Sequence, residues 1–269
     1  MRIGKRPVTA LVLFAGLGCA LALTLGQAAR PAQNRAAAAA QTAPIRVLAS
    51  NGVKAVLDDL RPQSERLVGR PLATQFDLAA SLRERIVAGE AFDVAILTTE
   101  AIDDLIRQGK VVAGTRADLA RAGVGIGIRA GVPKPDIRTP EAIKQVLLNA
   151  KSIAYAPTGA STVYTTRMLE RLGIAEAVKS KAVLQASDLS TVGVAEGRTE
   201  LVITLISEIL PVKGIELLGP LPAEFQGYVA FAAGVSAGAR DAQAARALIQ
   251  FLAGAAVAPA WKVRGMEPR

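Results

Sequence analysis

Short apolar runs alternate with segments of helical period from Ile45 to the C-terminal end, and no other feature confines the fold as tightly. Repeated strand-then-helix units bury their apolar faces together only as βα layers, with helices laid on a largely parallel sheet. Ile45-Arg-Val-Leu-Ala reads as the first strand. Ser50-Asn51-Gly52 then turns the chain into a helix whose Val53, Val56, Leu57 and Leu60 fall on one face. Pro62 is expected to end or kink that helix, because its ring displaces a backbone hydrogen bond. Residues 72–76 form a second strand, followed by a helix bearing Leu78, Leu82 and Ile86 that stops at Gly89. Residues 93–97 form a buried strand, after which Thr98 or Thr99 caps a helix over 100–108 closed by Gly109.

Gly123-Val-Gly-Ile-Gly-Ile-Arg-Ala-Gly131 breaks this rhythm. Glycine at alternate positions between β-branched residues indicates a strand approached closely by other backbone, or a crossing segment that bends. Pro133-Lys-Pro-Asp-Ile reads as a linker, and Thr139-Pro140-Glu141 starts a helix through Leu148. The βα pattern resumes with strands at 152–156, 182–185 and 201–206 and helices at 161–172 and 188–195; an apolar run at 228–237 and a helix at 242–252 close the chain. Two groupings satisfy this order: one doubly wound sheet, or two α/β lobes of which the first is completed after the chain returns from the second. Residues 123–131 and 219–227 supply the crossing chain that the two-lobe grouping needs, and that grouping is favoured.

Residues 1–28 have the form of a signal peptide, with Arg2, Lys5 and Arg6 ahead of an uncharged apolar stretch from Val8 to Leu25. Residues 29–44 are an alanine-rich tether. A retained anchor or lipid attachment at Cys19 are the alternatives, and each exports residues 45–269. Losing Arg2, Lys5 and Arg6 lowers the formal charge from +9 to +6, and losing Arg30 and Arg35 as well leaves +4. That charge is mild, and Tyr155, Tyr164, Tyr228 and Trp261 are scattered, so nucleic acid is not an expected partner. The chain has no histidine and one cysteine, which removes Ser-His-Asp and Cys-His catalysis and leaves no expected metal or cofactor.

Ligands in α/β folds gather beyond the carboxyl ends of strands, where helix N-termini present free N–H groups. Here those turns are small and hydroxylated. Pro157-Thr158-Gly159-Ala160-Ser161-Thr162 is the richest, and Ser50-Asn51-Gly52, Ala79-Ala80-Ser81, Ser187-Asp188 and Ser207-Glu208 resemble it. An ordinary N-cap explains any one of them singly; five around one cleft would form an anion site. No phosphate-binding G-x-x-x-x-G-K-[ST] occurs, and the 123–127 glycines have the wrong spacing for a dinucleotide loop. Lys54, Lys151, Lys179 and Lys181 keep open a Ser-Lys hydrolase or transferase, although spacing selects none of them. Asp58-Asp59 and Asp103-Asp104 read as solvating pairs, and Arg129 as a hinge residue or a ligand contact.

Several stretches resemble the periplasmic solute-binding proteins of ABC transporters, in the branch similar to the molybdate-binding protein. They are Ile45-Arg-Val-Leu-Ala-Ser-Asn-Gly, Leu82-Arg-Glu-Arg-Ile-Val-Ala-Gly-Glu-Ala-Phe-Asp-Val-Ala-Ile, Ser207-Glu208-Ile209-Leu210-Pro211, Ala245-Arg-Ala-Leu-Ile-Gln-Phe-Leu-Ala and Gly265-Met266. The resemblance implies a type II two-lobe clamshell, each lobe a mixed, mostly parallel sheet flanked by helices, with lobe 1 from 45–127 and 228–269 and lobe 2 from 128–227. It implies a monomeric, non-enzymatic periplasmic protein that captures a small anionic solute and delivers it to an ABC-type permease; a sensory domain acting on a membrane partner is the alternative. The expected ligand residues are Asn51, Gly52, Ala80, Ser81, Thr158, Gly159, Ser161, Thr162 and Ser207. The family's oxyanion site uses serines and a tyrosine, and these positions fall here at Gly52, across Leu78, Ala79 and Ala80, and at Leu205. Each hydroxyl lost costs about 1–3 kcal/mol, which disfavours molybdate and leaves room for a larger anion such as a small organic acid.

Overall fold

The computed structural model describes residues 43–185 and 187–269, with the side chain of Ser187 outside the description, so the expected leader and most of the tether lie outside the described residues. From the N-terminal side the elements are β1 (Ile45–Ser50), α1 (Lys54–Val68), β2 (Leu72–Asp77), α2 (Ala79–Val87), β3 (Val94–Thr98) and α3 (Thr99–Arg107). Next come β4 (Ala117–Arg129), α4 (Pro140–Asn149), β5 (Ile153–Tyr155), α5 (Thr162–Arg171), α6 (Ala175–Lys179), β6 (Ala182–Leu184) and α7 (Ser187–Ala195). The chain ends with β7 (Leu201–Leu205), α8 (Ile206–Ile209), β8 (Ile215–Pro220), β9 (Tyr228–Val235), α9 (Ala242–Leu252), α10 (Ala258–Val263) and β10 (Met266–Pro268).

The strands form a mixed α/β sheet in the order β2-β1-β3-β9-β4-β7-β5-β6, with β8 and β10 also on β4. β1 runs parallel to β2 and β3, and β5 runs parallel to β6 and β7. β4 joins these two parallel groups. Its residues 117–123 pair antiparallel with β9 and β10, and its residues from Val124 onward pair with β7 and β8. Of the alternating glycines, Gly125 and Gly127 lie in this second half, and Gly123 closes the first. A Cβ on Gly127 would stand 2.7 Å from Ile215 Cδ1 and 2.8 Å from Val202 Cγ1, and one on Gly125 would stand 2.9 Å from Ile206 Cγ1. Side chains from β7, β8 and α8 therefore fill the space that a larger residue on β4 would need.

Pro62 neither ends nor interrupts α1, contrary to the sequence expectation; the helix continues to Val68. Local contacts close the far end, where Gly69 is left-handed. Ser64 is buried, the Arg70 amide donates to the Glu65 carbonyl at 3.2 Å, and the Leu72 amide donates to Glu65 Oε1 at 2.9 Å. Gly219 and Pro220, expected to be crossing chain, are instead the end of β8 opposite Ile126 and Gly125. A proline is tolerated at that terminal strand position, where no further ladder bond is needed. The C-terminal region follows its sequence pattern closely: Asp241 caps α9 by accepting from the Ala244 amide at 2.9 Å, and Ala245, Leu248, Ile249 and Leu252 turn inward. Beneath them Trp261 is fully buried with its indole N–H donated to the Leu252 carbonyl at 3.1 Å.

Asp93, just before β3, ties the first strands to the chain ahead of α9. It accepts from the Arg46 amide and guanidinium and from the Arg240 amide and guanidinium, while its own side chain is only 4% exposed. Burial pushes this carboxyl upward, but the combined hydrogen bonds from Arg46 and Arg240 outweigh burial and hold it well below the usual carboxylate range.

Candidate functional site

The carboxyl ends of β1, β2, β5 and β7 open onto one small pocket. It is lined by Ser50 and Asn51 after β1, Leu78 and Ala79 after β2, the 156–161 turn after β5, and Thr204, Leu205 and Glu208 around the end of β7. These four strands belong to the parallel groups, so the pocket sits where helix starts converge. Its volume is about 10 Å³, near that needed for a single water molecule.

Helix starts with and without side-chain caps both occur in the fold, and α1, α6 and α10 begin without one. Thr98, Thr139 and Asp241 cap α3, α4 and α9 with their side chains, at sites away from the pocket. At the pocket, Ser50, Leu78, Ser161 and Leu205 precede their helical turns without any side-chain cap. Backbone N–H groups at such starts can serve a ligand, although at the Ser161 turn the Thr162 and Tyr164 amides already donate to the Gly159 and Ser161 carbonyls at 3.0 and 3.1 Å. Ser161 is 5% exposed, lines the pocket, and its hydroxyl makes no hydrogen bond among the described residues. The N-cap explanation of this serine therefore does not apply.

The turn that carries Ser161 is held by its neighbours. Thr162 donates its hydroxyl to the Ala156 carbonyl at 2.6 Å, and the Thr162 amide donates to the Gly159 carbonyl at 3.0 Å. A Cβ on Gly159 would come within 2.9 Å of Ala156 Cβ, so the tightness of this turn depends on glycine.

Of the residues expected to bind ligand, Asn51, Gly159 and Ser161 meet at the pocket. Ala80 and Thr158 are exposed, and Ser81 and Thr162 lie outside the lining. Gly52 is buried against the core: a Cβ there would stand 2.6 Å from Phe231 Cζ and 2.9 Å from Leu205 Cδ1. Ser207 donates to the Gly52 carbonyl at 2.8 Å, so its hydroxyl joins the turn after β1 to α8. Leu78, Ala79 and Leu205, where the resemblance puts the family's polar site residues, line the pocket together with Ala160 of the expected turn; sequence reasoning missed Ala156 and Thr204 and gave Glu208 no role. The Ser207-Glu208 turn was the available signal. Thr204 donates its hydroxyl to a Glu208 carboxylate oxygen, and Glu208 is the one ionisable side chain lining the pocket among the described residues.

Beside the pocket lies a wider groove of about 550 Å³ that shares Asn51 and Glu208 with it. Lys54, Asp58 and Phe76 form one wall, and Asp188, Val192 and Pro211 contribute to the other. Lys54 Nζ is 2.7 Å from Asp58 and 4.5 Å from the Phe76 ring centroid. No lysine lines the pocket with Ser161, so a Ser-Lys pair is not assembled there among the described residues. Nor, among them, is any group of three or more His, Cys, Asp or Glu placed to hold a metal ion. Arg129 stands on a separate surface hollow with Lys151 and Arg198.

Residues 45–267 match the family model described as bacterial extracellular solute-binding protein. The chain belongs to this family. It is 30% identical over 237 residues to an aconitate isomerase from Pseudomonas sp, covering 86% of this chain and 90% of that protein. It is 28% identical over 228 residues to the molybdate-binding protein ModA of Azotobacter vinelandii, covering 81% and 87% respectively. Among solved structures, the periplasmic molybdate-binding protein of Azotobacter vinelandii superposes with a TM-score of 0.71 at 18% identity, covering 82% of this chain and 98% of that one. The sulfate-binding protein SubI from Mycobacterium tuberculosis H37Rv gives 0.64 at 18% identity, with coverages of 84% and 86%. The fold is that of the type II periplasmic binding proteins. The family is one of solute-binding proteins, and one relative of this chain is named as an enzyme.

Proposed function

We propose that the protein is exported to the periplasm, captures a small organic acid by its carboxylate between two lobes, and delivers it to an ABC-type permease. The lobes are residues 45–127 with 228–269, and residues 128–227. The exchange of β4's partners at Gly123 and Val124 supports a two-lobe division, with the change of partners falling a few residues ahead of the 127–128 boundary. The observation that carries the reading is Ser161, buried in the pocket lining with no hydrogen bond from its hydroxyl among the described residues, beside further helix starts that lack a side-chain cap. An anion supplies the acceptor that this hydroxyl lacks. A carboxylate suits the pocket better than a tetrahedral oxyanion, because Leu78, Ala79 and Leu205 give apolar contact on sides where an oxyanion would need further donors. Thermal-shift screening of molybdate, sulfate and small carboxylates tests it. A ligand at a hundredfold over its dissociation constant stabilises by about 2.7 kcal/mol; stabilisation by molybdate with none by any carboxylate refutes the reading.

Two observations support a second reading, that the protein isomerises an unsaturated organic acid. They are the 30% identity to an aconitate isomerase over 90% of its length and the single carboxylate, Glu208, in the pocket. A carboxylate beside an activated carbon can take and return a proton. Incubation with cis- or trans-aconitate, followed by proton NMR, decides between the two. Interconversion that disappears in Glu208→Gln establishes the isomerase; unchanged substrate removes it and leaves the binding reading standing.

A further inference from the structure

The pocket is too small to enclose an organic acid, yet the adjoining groove of about 550 Å³ falls within the size range of small-molecule sites. The two share Asn51 and Glu208, which puts the groove directly beside the pocket. The charges lining that groove are three carboxylates, Asp58, Asp188 and Glu208, and one ammonium, Lys54, among the described residues. Asp58 is paired with Lys54 at 2.7 Å and Arg61 at 3.2 Å. Ionised carboxylates accept hydrogen bonds and cannot donate them. Away from the pocket, Asp188 repels a further carboxylate on a ligand, and Asp188 and Glu208 can accept from its hydroxyls. Phe76, Val192 and Pro211 offer apolar surface for the carbon skeleton between those hydroxyls. The Ser161 hydroxyl, 5% exposed and without a partner among the described residues, fixes the acid end independently of the groove.

We infer that the ligand is a polyhydroxylated monocarboxylate of the sugar-acid kind, its carboxylate at Ser161 and its hydroxylated body along Glu208 and Asp188. This rests on the carboxylate reading above. It is tested by calorimetric titration of the exported chain with gluconate, hexanoate, citrate and trans-aconitate as probes. Gluconate is expected to bind most tightly. Asp188→Asn and Glu208→Gln are each expected to weaken gluconate about tenfold, the scale of one hydrogen bond to a charged group. Val192→Trp, at a position 38% exposed, fills the groove and is expected to weaken gluconate at least as much while the ligand-free melting temperature stays that of the wild type. Tighter binding of citrate or trans-aconitate, equal binding of hexanoate, or gluconate affinity unchanged in Val192→Trp overturns the inference and leaves the carboxylate reading intact. Binding of none of the four probes removes both.

Discussion

Restoring the family's serine at position 52 distinguishes a lost ligand contact from a repacked core. The glycine's α-carbon faces inward, and a Cβ there would lie 2.6 Å from Phe231 Cζ and 2.9 Å from Leu205 Cδ1, below the approach that real side chains tolerate. Neither neighbour has room to yield, since Phe231 is 0% and Leu205 3% exposed. Overpacking of this kind costs about 1–3 kcal/mol. At roughly 2–4 °C per kcal/mol for a domain of this size, Gly52→Ser is expected to lower the melting temperature by about 2–12 °C. Differential scanning calorimetry measures it, and a second variant, Gly52→Ser with Phe231→Leu, is expected to recover part of the loss by giving the new side chain space. The same variants titrated with molybdate are expected to show no gain in binding. Full stability in Gly52→Ser, or new molybdate affinity, would refute the claim that this position now serves packing.

Ser161→Ala is expected to reduce carboxylate affinity by about tenfold in calorimetric titration. Its ligand-free melting temperature should match the wild type, because the hydroxyl has no hydrogen bond within the described residues to lose. Against the upward push of burial, hydrogen bonds from Arg46 and Arg240 hold the Asp93 carboxyl well below the usual carboxylate range once folded, so it contributes stability that is complete above the unfolded-state range and is lost as pH falls toward the depressed folded value. Urea midpoints measured downward from pH 5 should therefore fall more steeply in the wild type than in Asp93→Asn, which starts less stable at neutral pH. The chain has no histidine, so affinity for a carboxylate that stays ionised should be flat between about pH 6 and pH 8, where imidazole would titrate; a steep change in titrations across that span would contradict the proposed donor set.

Much of this molecule could be read from local pattern. The helix at 242–252 has its sequence-expected bounds because Asp241, the apolar spacing of Ala245, Leu248 and Ile249, and the glycine that follows all act within a few residues. The first half of β4 was not legible. Its Ala-Asp-Leu-Ala-Arg-Ala has no strand composition, and it is extended because β9 and β10 hold it from both sides. Pro62 does not end α1, which runs on to Val68. At the site, Ser161, Gly159 and Asn51 were visible as small or polar residues at strand ends. The inward packing of Gly52 on Phe231 and the meeting of pocket and groove at Glu208 arise from segments far apart in the chain, and periodicity carries no record of them.

Native mass spectrometry of the protein isolated from its own cell envelope tests the central claim most directly, because it weighs what the pocket has captured. The account predicts a bound organic acid in the wild type and a much smaller bound fraction in Ser161→Ala. A mass increment equal to molybdate or sulfate, or an organic acid retained in full by Ser161→Ala, would contradict it.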